Sequence, residues 1–293
     1  MLSLSYTISP GIKTCLAQID NFRNEILLTP IPPARLLELR WKNTLSFLTS
    51  CLNLLGTPLD QTFLTQLVTN PSQSRLPASA KAAINLKSAL DSIHQNWTGS
   101  SSSVTSASLT SLGFDLPVNS PQVLEYLATG GLHPILQAAI SHLHFAPTPL
   151  TFVVPLIYLS RQGYDCQGLL CLDEFWPKNP DTYHQLLTQN SKSVSITQWL
   201  EFYCQAAVYQ YGLAHRAILN LPQETHRGLW QLSDRQKAIL ALLETPGSSI
   251  TNRKVQKLYQ VSQITASRDL SRMASLGQLF SHGHGRSVYY TRI

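Results

Sequence analysis

The chain has 293 residues, enough for two domains that each bury a real core. Hydrophobic residues make up 43% of it and charged residues only 13%, about half the usual share, so the surface is polar more than ionic. The net charge of +6 is concentrated at one end: from Arg227 onward ten Lys/Arg stand against three Asp/Glu, a local +7, whereas the preceding chain sums to −1. A basic segment of this kind fits contact with nucleic acid phosphates, against the alternative of a solvated tail.

Five cysteines in no CxxC spacing read as free thiols of a reducing compartment. The first residues lack the basic-then-apolar order of a secretion signal, so the expected location is cytoplasmic. The longest apolar run, Leu150 to Leu159, is about half of what a membrane span needs, and Pro155 interrupts it. No GxGxxG or GxxxxGK pattern is present to cradle a dinucleotide or a phosphate.

In chain order, residues 8 to 28 read as a helix, with Ser9 as cap, Pro10 in the first position and Ile12, Leu16, Ile19, Phe22 and Ile26 at helical spacing. After Pro30, Pro32 and Pro33 a second helix starts near Ala34 and ends before Gly56-Thr57-Pro58. Asp60 is placed to cap a short helix containing Phe63, Leu64, Leu67 and Val68. A helix over Ser79 to Asn96 buries Ala83, Leu86, Leu90 and Ile93, and Gly99 to Ser103 reads as a flexible polar link. A weak turn or helix is expected over Leu109 to Leu116, and a helix from Pro121 to Leu127.

His133 to His144 and Phe152 to Gln162 read as two apolar helices separated by Pro147 and Pro149. A helix over Asp173 to Thr188 and a long amphipathic helix over Thr197 to Leu219 follow, then a linker at Pro222 to Leu229. With no clear strand before that linker, the first part is expected to be all helical.

The last segment reads as a complete small module. Ser233-Asp234-Arg235-Gln236 is a capping box, and Ile250-Thr251-Asn252 starts a second helix running to Tyr259. Gln260-Val261-Ser262 is a tight turn, and Thr265 to Ser275 a third helix with Ala266, Leu270 and Met273 inside and Ile264, Arg268, Ser271, Arg272 and Ser275 outside. Leu279-Phe280 and Val288 to Tyr290 form a hairpin around His282-Gly283-His284-Gly285-Arg286. Helix, helix, turn, helix and hairpin make a small α+β winged helix-turn-helix, whose third helix enters the major groove while the hairpin touches backbone or minor groove. The residues expected to meet DNA are Arg253, Lys254, Gln263, Thr265, Arg268, Arg272, His284 and Arg286, chiefly as phosphate contacts, with Lys257 adding charge. The competing readings are a winged helix that binds protein, and His282 with His284 as metal ligands, which lack a third ligand.

These residues carry a resemblance. Leu232 to Gln236, Ile250-Thr251-Asn252, Val261-Ser262, Thr265 to Leu270 and Gly285 to Tyr290 resemble the winged helix at the C-terminus of many bacterial Fic (Fido-fold) proteins. Upstream, His133 to His142, Tyr158-Leu159 with Gly163-Tyr164, Asp181 to Leu187 and Ile196 to Phe202 are similar to the Fic helices in the same order, and Ile8-Ser9-Pro10 and Leu54 to Leu59 to its N-terminal region. The resemblance implies a mainly α chain: residues 1–75 as the N-terminal helical region, 76–221 as the Fic-like core and 229–293 as the winged helix.

The same resemblance implies an activity whose residues are missing. Fic enzymes transfer AMP to protein hydroxyls through a loop HPFxDGNGR that supplies a general base, a metal-holding acid and a phosphate nest. Here that place holds a shorter stretch, Phe145 to Phe152, whose Pro147, Thr148, Pro149, Leu150 and Thr151 include no acid, base or glycine, and whose prolines bring no amide donors. His142 and His144 lie on the helix just upstream and read as structural. The family's inhibitory glutamate, in S/T-x-x-x-E-G/N, falls at Leu55, and no Glu lies between Glu38 and Glu125. The expectation is a DNA-binding, transcription-regulating pseudoenzyme without catalytic residues, cofactor or metal. Its partner is double-stranded DNA, with homodimerisation or a protein partner on the helical domain as additions and no membrane. The alternatives are a protein AMP-transferase with an atypical site and a protein–protein adaptor. Cys166 and Cys171 with His184 match no known ligand spacing, and the cysteines read as buried.

Overall fold

The computed structural model describes residues 4–69, 76–129, 131–170, 175–190, 195–219, 232–243, 248–276, 278–283 and 288–292. The chain divides into two compact units, Met1–Leu219 and Asn220–Ile293. Helix α1 (Pro10–Leu28) starts where Ser9 Oγ accepts from the Ile12 amide and Pro10 takes a position whose amide would have no helical partner. Ile12, Ile19 and Ile26, two turns apart, are its buried line. Helices α2 (Pro33–Leu54), α3 (Gln61–Thr69) and α4 (Ala78–Asn96) follow, and Asp60 Oδ2 caps α3 by accepting from the Thr62 and Phe63 amides.

The centre of the first unit is the pair α7 (Pro134–Phe145) and α8 (Leu150–Arg161), mostly apolar around their circumference and buried almost throughout. The long α10 (Thr197–Leu219) packs against both α1 and α7, and the Trp199 indole donates to the Ala139 carbonyl at 2.7 Å. Pro155 does not interrupt α8. Its missing amide removes one helical bond, but the surrounding core buries residues 150–160 and holds the helix through it. Gly163, at φ +69°, closes α8 in the left-handed conformation, and the Tyr164 amide reaches back to the Leu159 carbonyl.

Three other expectations change. The stretch after Gly99 is tied down: the Gly99 amide donates to Ser160 O, and Arg161 Nε to Ser100 O. The next helix, α5 (Ser106–Thr110), starts earlier than the apolar pattern suggests because Thr105 and Ser108 form a reciprocal capping box, and α6 (Ser120–Thr129) follows it. The single helix expected over 173–188 is instead a 3₁₀ turn at Trp176–Lys178 and helix α9 (Pro180–Asn190), broken at Asn179, whose backbone is kept out of the helical region by the proline after it. One parallel bridge, Ser5 to Ser195, is the sole β pairing outside named strands among the described residues.

The second unit contains α11 (Asp234–Leu242), β1 (Ile250–Thr251), α12 (Asn252–Tyr259), α13 (Gln263–Ser275), β2 (Leu279–His282) and β3 (Tyr289–Arg292). Its sheet is antiparallel in the order β1-β3-β2, with Ile250 opposite Tyr290 and Leu279 opposite Arg292. Ile250 and Thr251, expected to open α12, form strand β1. The reason is cross-strand pairing with Tyr289 and Tyr290, a partner some forty residues away that local propensity cannot register. Ile239, Leu240, Val255, Ala266, Leu270 and Met273 make a separate core. Among the described residues no helix is long and apolar enough to cross a membrane.

Candidate functional site

The largest depression described in the first unit, about 850 Å³, opens at the C-terminal end of α7. Leu143, His144, Ala146 and Pro147 form one wall, and His184, Leu187 and Thr188 of α9 another. Pro117, Val118 and Asn119, before α6, form a third, and Val118 is 95% exposed. Leu4 and Ile196, beside the Ser5–Ser195 bridge, close the remaining side. None of the fourteen described lining residues is Lys, Arg, Asp or Glu.

The α7–α8 loop keeps its polar groups to itself. The Thr148 amide and hydroxyl both donate to the Phe145 carbonyl, at 2.9 and 2.7 Å. The Thr151 amide is turned onto Thr148 O and the Phe152 amide onto Pro149 O. Pro147 and Pro149 bring no amide. An anion arriving here meets neither a cation nor a row of free amides from these residues. Leu150 and Thr151 are buried in the core, and Pro147 is exposed on the groove wall.

Two histidines of α7 have different surroundings. His142 is 1% exposed and is enclosed by Phe152, Trp176, Tyr183, Trp199 and Tyr203, with ring centroids 5.2–5.8 Å away. Its Nε2 is 2.9 Å from the Tyr183 hydroxyl, and burial pushes its pKa down to about 3, so the ring is neutral. His144, two residues on, is half-buried on the groove, where burial also lowers its pKa. Its Nε2 is buried and has no hydrogen-bond partner among the described residues. At the other end of α7, His133 Nδ1 accepts from the Ile135 amide and caps the helix, which leaves its Nε2 to meet Asp20 at 3.2 Å. The Tyr164 hydroxyl donates to the same carboxylate at 2.6 Å, so this cluster ties α1 to the two central helices.

In the second unit, Arg253, Lys254 and Lys257 are exposed on α12, and Arg268 and Arg272 on α13. Arg253, Lys254, Lys257 and Arg268 have no ion-pair partner among the described residues, as the ion pairs of this unit lie elsewhere. Gln263 is the exposed first residue of α13. Thr265 is half-buried, its hydroxyl 3.0 Å from Ser262 Oγ within the α13 cap. His284 and Arg286 lie outside the described residues. A feature the apolar pattern did not reveal is Asp269, which is only 7% exposed. Arg235 Nε donates to it at 2.7 Å and Gln236 Nε2 at 2.8 Å. The one carboxylate of α13 is thereby turned inward and ion-paired, so the charged residues exposed on that helix, Arg268 and Arg272, are both basic.

The chain matches no protein-family model and no curated protein. Among solved structures it is similar to a crystal structure of a Fic family protein from Desulfovibrio desulfuricans G20, with a TM-score of 0.62 over 100% of this chain and 98% of that one, at 14% identity. The fold is Fic-like. On that fold the groove at Pro147 lies where the resemblance puts the Fic catalytic loop, and the loop here has the composition already described. Leu55, where the resemblance puts the inhibitory glutamate, packs against the hydrophobic core at the end of α2 and is not among the groove's lining residues.

Other chemistry finds little support. Among the described residues no group of three or more His, Cys, Asp or Glu is placed to hold a metal. His282 is held by Thr291, 2.9 Å from Nε2, and stacks on Tyr289. Burial pushes the Cys166 thiol up to about 12, which removes its nucleophilic form. It also borders a different depression from His184, and Cys171 lies outside the described residues.

Proposed function

We propose that the protein binds double-stranded DNA through a C-terminal winged helix and regulates transcription, its Fic-like domain having no AMP-transferase activity. The observation that carries this reading is the outer face of α13, where Arg268 and Arg272 are exposed, Arg253, Lys254 and Lys257 stand on α12 close in sequence, and the only α13 carboxylate is buried against Arg235. Three helices with a hairpin whose second strand also pairs with β1 form the arrangement in which a helix-turn-helix presents its last helix to the major groove. The half-buried Thr265 is placed to act through its position at the helix N-terminus, and Gln263 through an exposed side chain. The inactivity of the first unit is supported by the absence of any charged side chain among the described groove residues and by the internal use of the loop amides.

Titration of labelled random-sequence duplex with the full chain, by fluorescence anisotropy at several salt concentrations, tests the reading. Binding is expected to weaken steeply with salt, with a log–log slope of about −0.9 per phosphate neutralised. Absence of salt-sensitive duplex binding would refute it.

A further inference from the structure

The proposed duplex contacts make no use of the groove at the end of α7, yet it is large, partly enclosed and built from five separate segments. Its volume of about 850 Å³ lies in the range of small-molecule sites rather than of packing defects. Its walls are mainly aliphatic: Leu4, Val118, Val123, Leu143, Leu187 and Ile196. The polar groups that interrupt them among the described residues are Asn119, Thr188, His184 and His144, with no Lys, Arg, Asp or Glu. Among the described lining residues a buried charged ligand finds no partner of opposite charge, which disfavours nucleotides and other phosphates.

One polar group is conspicuous. His144 Nε2 is buried without any partner among the described residues, on a side chain that lines the groove. That nitrogen is sealed from the groove, so a ligand lying in the groove can be met only by the other ring nitrogen, Nδ1. Burial lowers the pKa of the ring and so favours its neutral form, in which Nδ1 can accept from an N–H or O–H.

We propose that this groove is a binding site for an uncharged, largely apolar small molecule carrying a hydrogen-bond donor, which is received by His144 Nδ1. The groove is bordered by the loop where the resemblance puts the Fic catalytic residues, and its described lining favours neutral over anionic ligands. It does not depend on DNA binding by the second unit.

The test uses two fluorescent probes that differ by one charged group. N-phenyl-1-naphthylamine is uncharged and has one N–H donor; 8-anilino-1-naphthalenesulfonate has the same rings with a sulfonate added. With the full chain, the uncharged probe is expected to bind with one-to-one stoichiometry and at least about 10-fold more tightly than the sulfonate, a difference of ~1.4 kcal/mol. Ala146→Trp and Thr188→Trp fill the groove from different segments, and either is expected to weaken binding of the uncharged probe by about 10-fold or more. Thr188 is exposed on α9, so its variant keeps the test interpretable if the loop variant fails to fold. His144→Phe keeps the ring volume and removes the acceptor, and is expected to weaken binding by about 5-fold. No saturable binding of the uncharged probe, or binding unchanged in both tryptophan variants, would overturn the proposal. So would displacement of the probe by ADP or ATP with Mg²⁺ at lower concentration than an uncharged competitor, which would mark the groove as a retained nucleotide cleft. Displacement by the chain's own segments or by a bound peptide would appear as failure of the probe to saturate and counts against the proposal in the same way.

Discussion

Replacing His142 by Phe is expected to remove a specific pH dependence of folding. In the native chain the imidazole is enclosed by five aromatic rings and its pKa is lowered by burial from 6.5 to about 3. In the unfolded chain it titrates at its ordinary value. Below pH 6.5 the unfolded state therefore binds a proton that the folded state refuses, so stability is complete above that pH and is lost as pH falls toward 3. Each pH unit in this window is worth ~1.4 kcal/mol, or about 2 kcal/mol at pH 5 relative to pH 8. His94 and His144 are shifted in the same direction by burial and contribute to the same loss, so the wild type alone cannot isolate His142. The comparison with His142→Phe can. That variant loses the hydrogen bond to Tyr183, at a pH-independent cost of about 1 kcal/mol, but keeps an aromatic ring in the box. Urea unfolding followed by tryptophan fluorescence reports this region directly, because Trp176 and Trp199 flank the ring. The wild type is expected to lose about 2 kcal/mol more than the variant between pH 8 and pH 5. Equal losses would refute the assignment of His142 as a buried neutral residue.

Four further outcomes are expected. Arg268→Ala weakens duplex binding about equally across sequences and reduces the salt slope by about 1 if the side chain contacts a phosphate, whereas sequence-selective loss would mark a base contact. Asp269→Ala strips Arg235 and Gln236 of their shared acceptor and destabilises the second unit by about 2 kcal/mol, read as lost amide exchange protection at Ile239 and Leu270. Ser233→Ala removes one half of the α11 capping box and costs ~1 kcal/mol, visible in the same exchange experiment as fraying confined to the start of α11. Incubation of the full chain with labelled ATP, Mg²⁺ or Mn²⁺ and lysate proteins transfers no AMP; transfer that His144→Ala abolishes would reinstate an active cleft.

Elements fixed by local chemistry could be read from the chain. Ser9, Asp60 and Ser233 signal helix starts because a side-chain oxygen three residues from an amide is a short-range arrangement, and each caps as expected. The α13 pattern separates Ala266, Leu270 and Met273 from Arg268 and Arg272 by helical periodicity alone. The Fic-like fold was legible through the resemblance carried by His133 to His142, Asp181 to Leu187 and Ile196 to Phe202, while the mostly apolar α7 and α8 marked the centre of the first unit. By contrast, Asn179 breaks a helix whose apolar spacing continues across it, and Ile250-Thr251 pairs with a strand distant in sequence.

The sequence by itself determined the helical order, the basic surplus after Arg227 and the composition of the α7–α8 loop, because each depends on residues adjacent in the chain or one turn apart. Only the tertiary structure decided that His142 is enclosed in aromatic rings while His144, two residues later, borders a groove, because facing opposite sides of a helix means nothing until other elements pack against it. The inward turn of Asp269 onto Arg235 and Gln236 and the assembly of groove walls from residues 4, 117–119, 143–147, 184–188 and 196 have the same origin. Long-range packing brings these groups together, and no local pattern in the chain encodes their proximity.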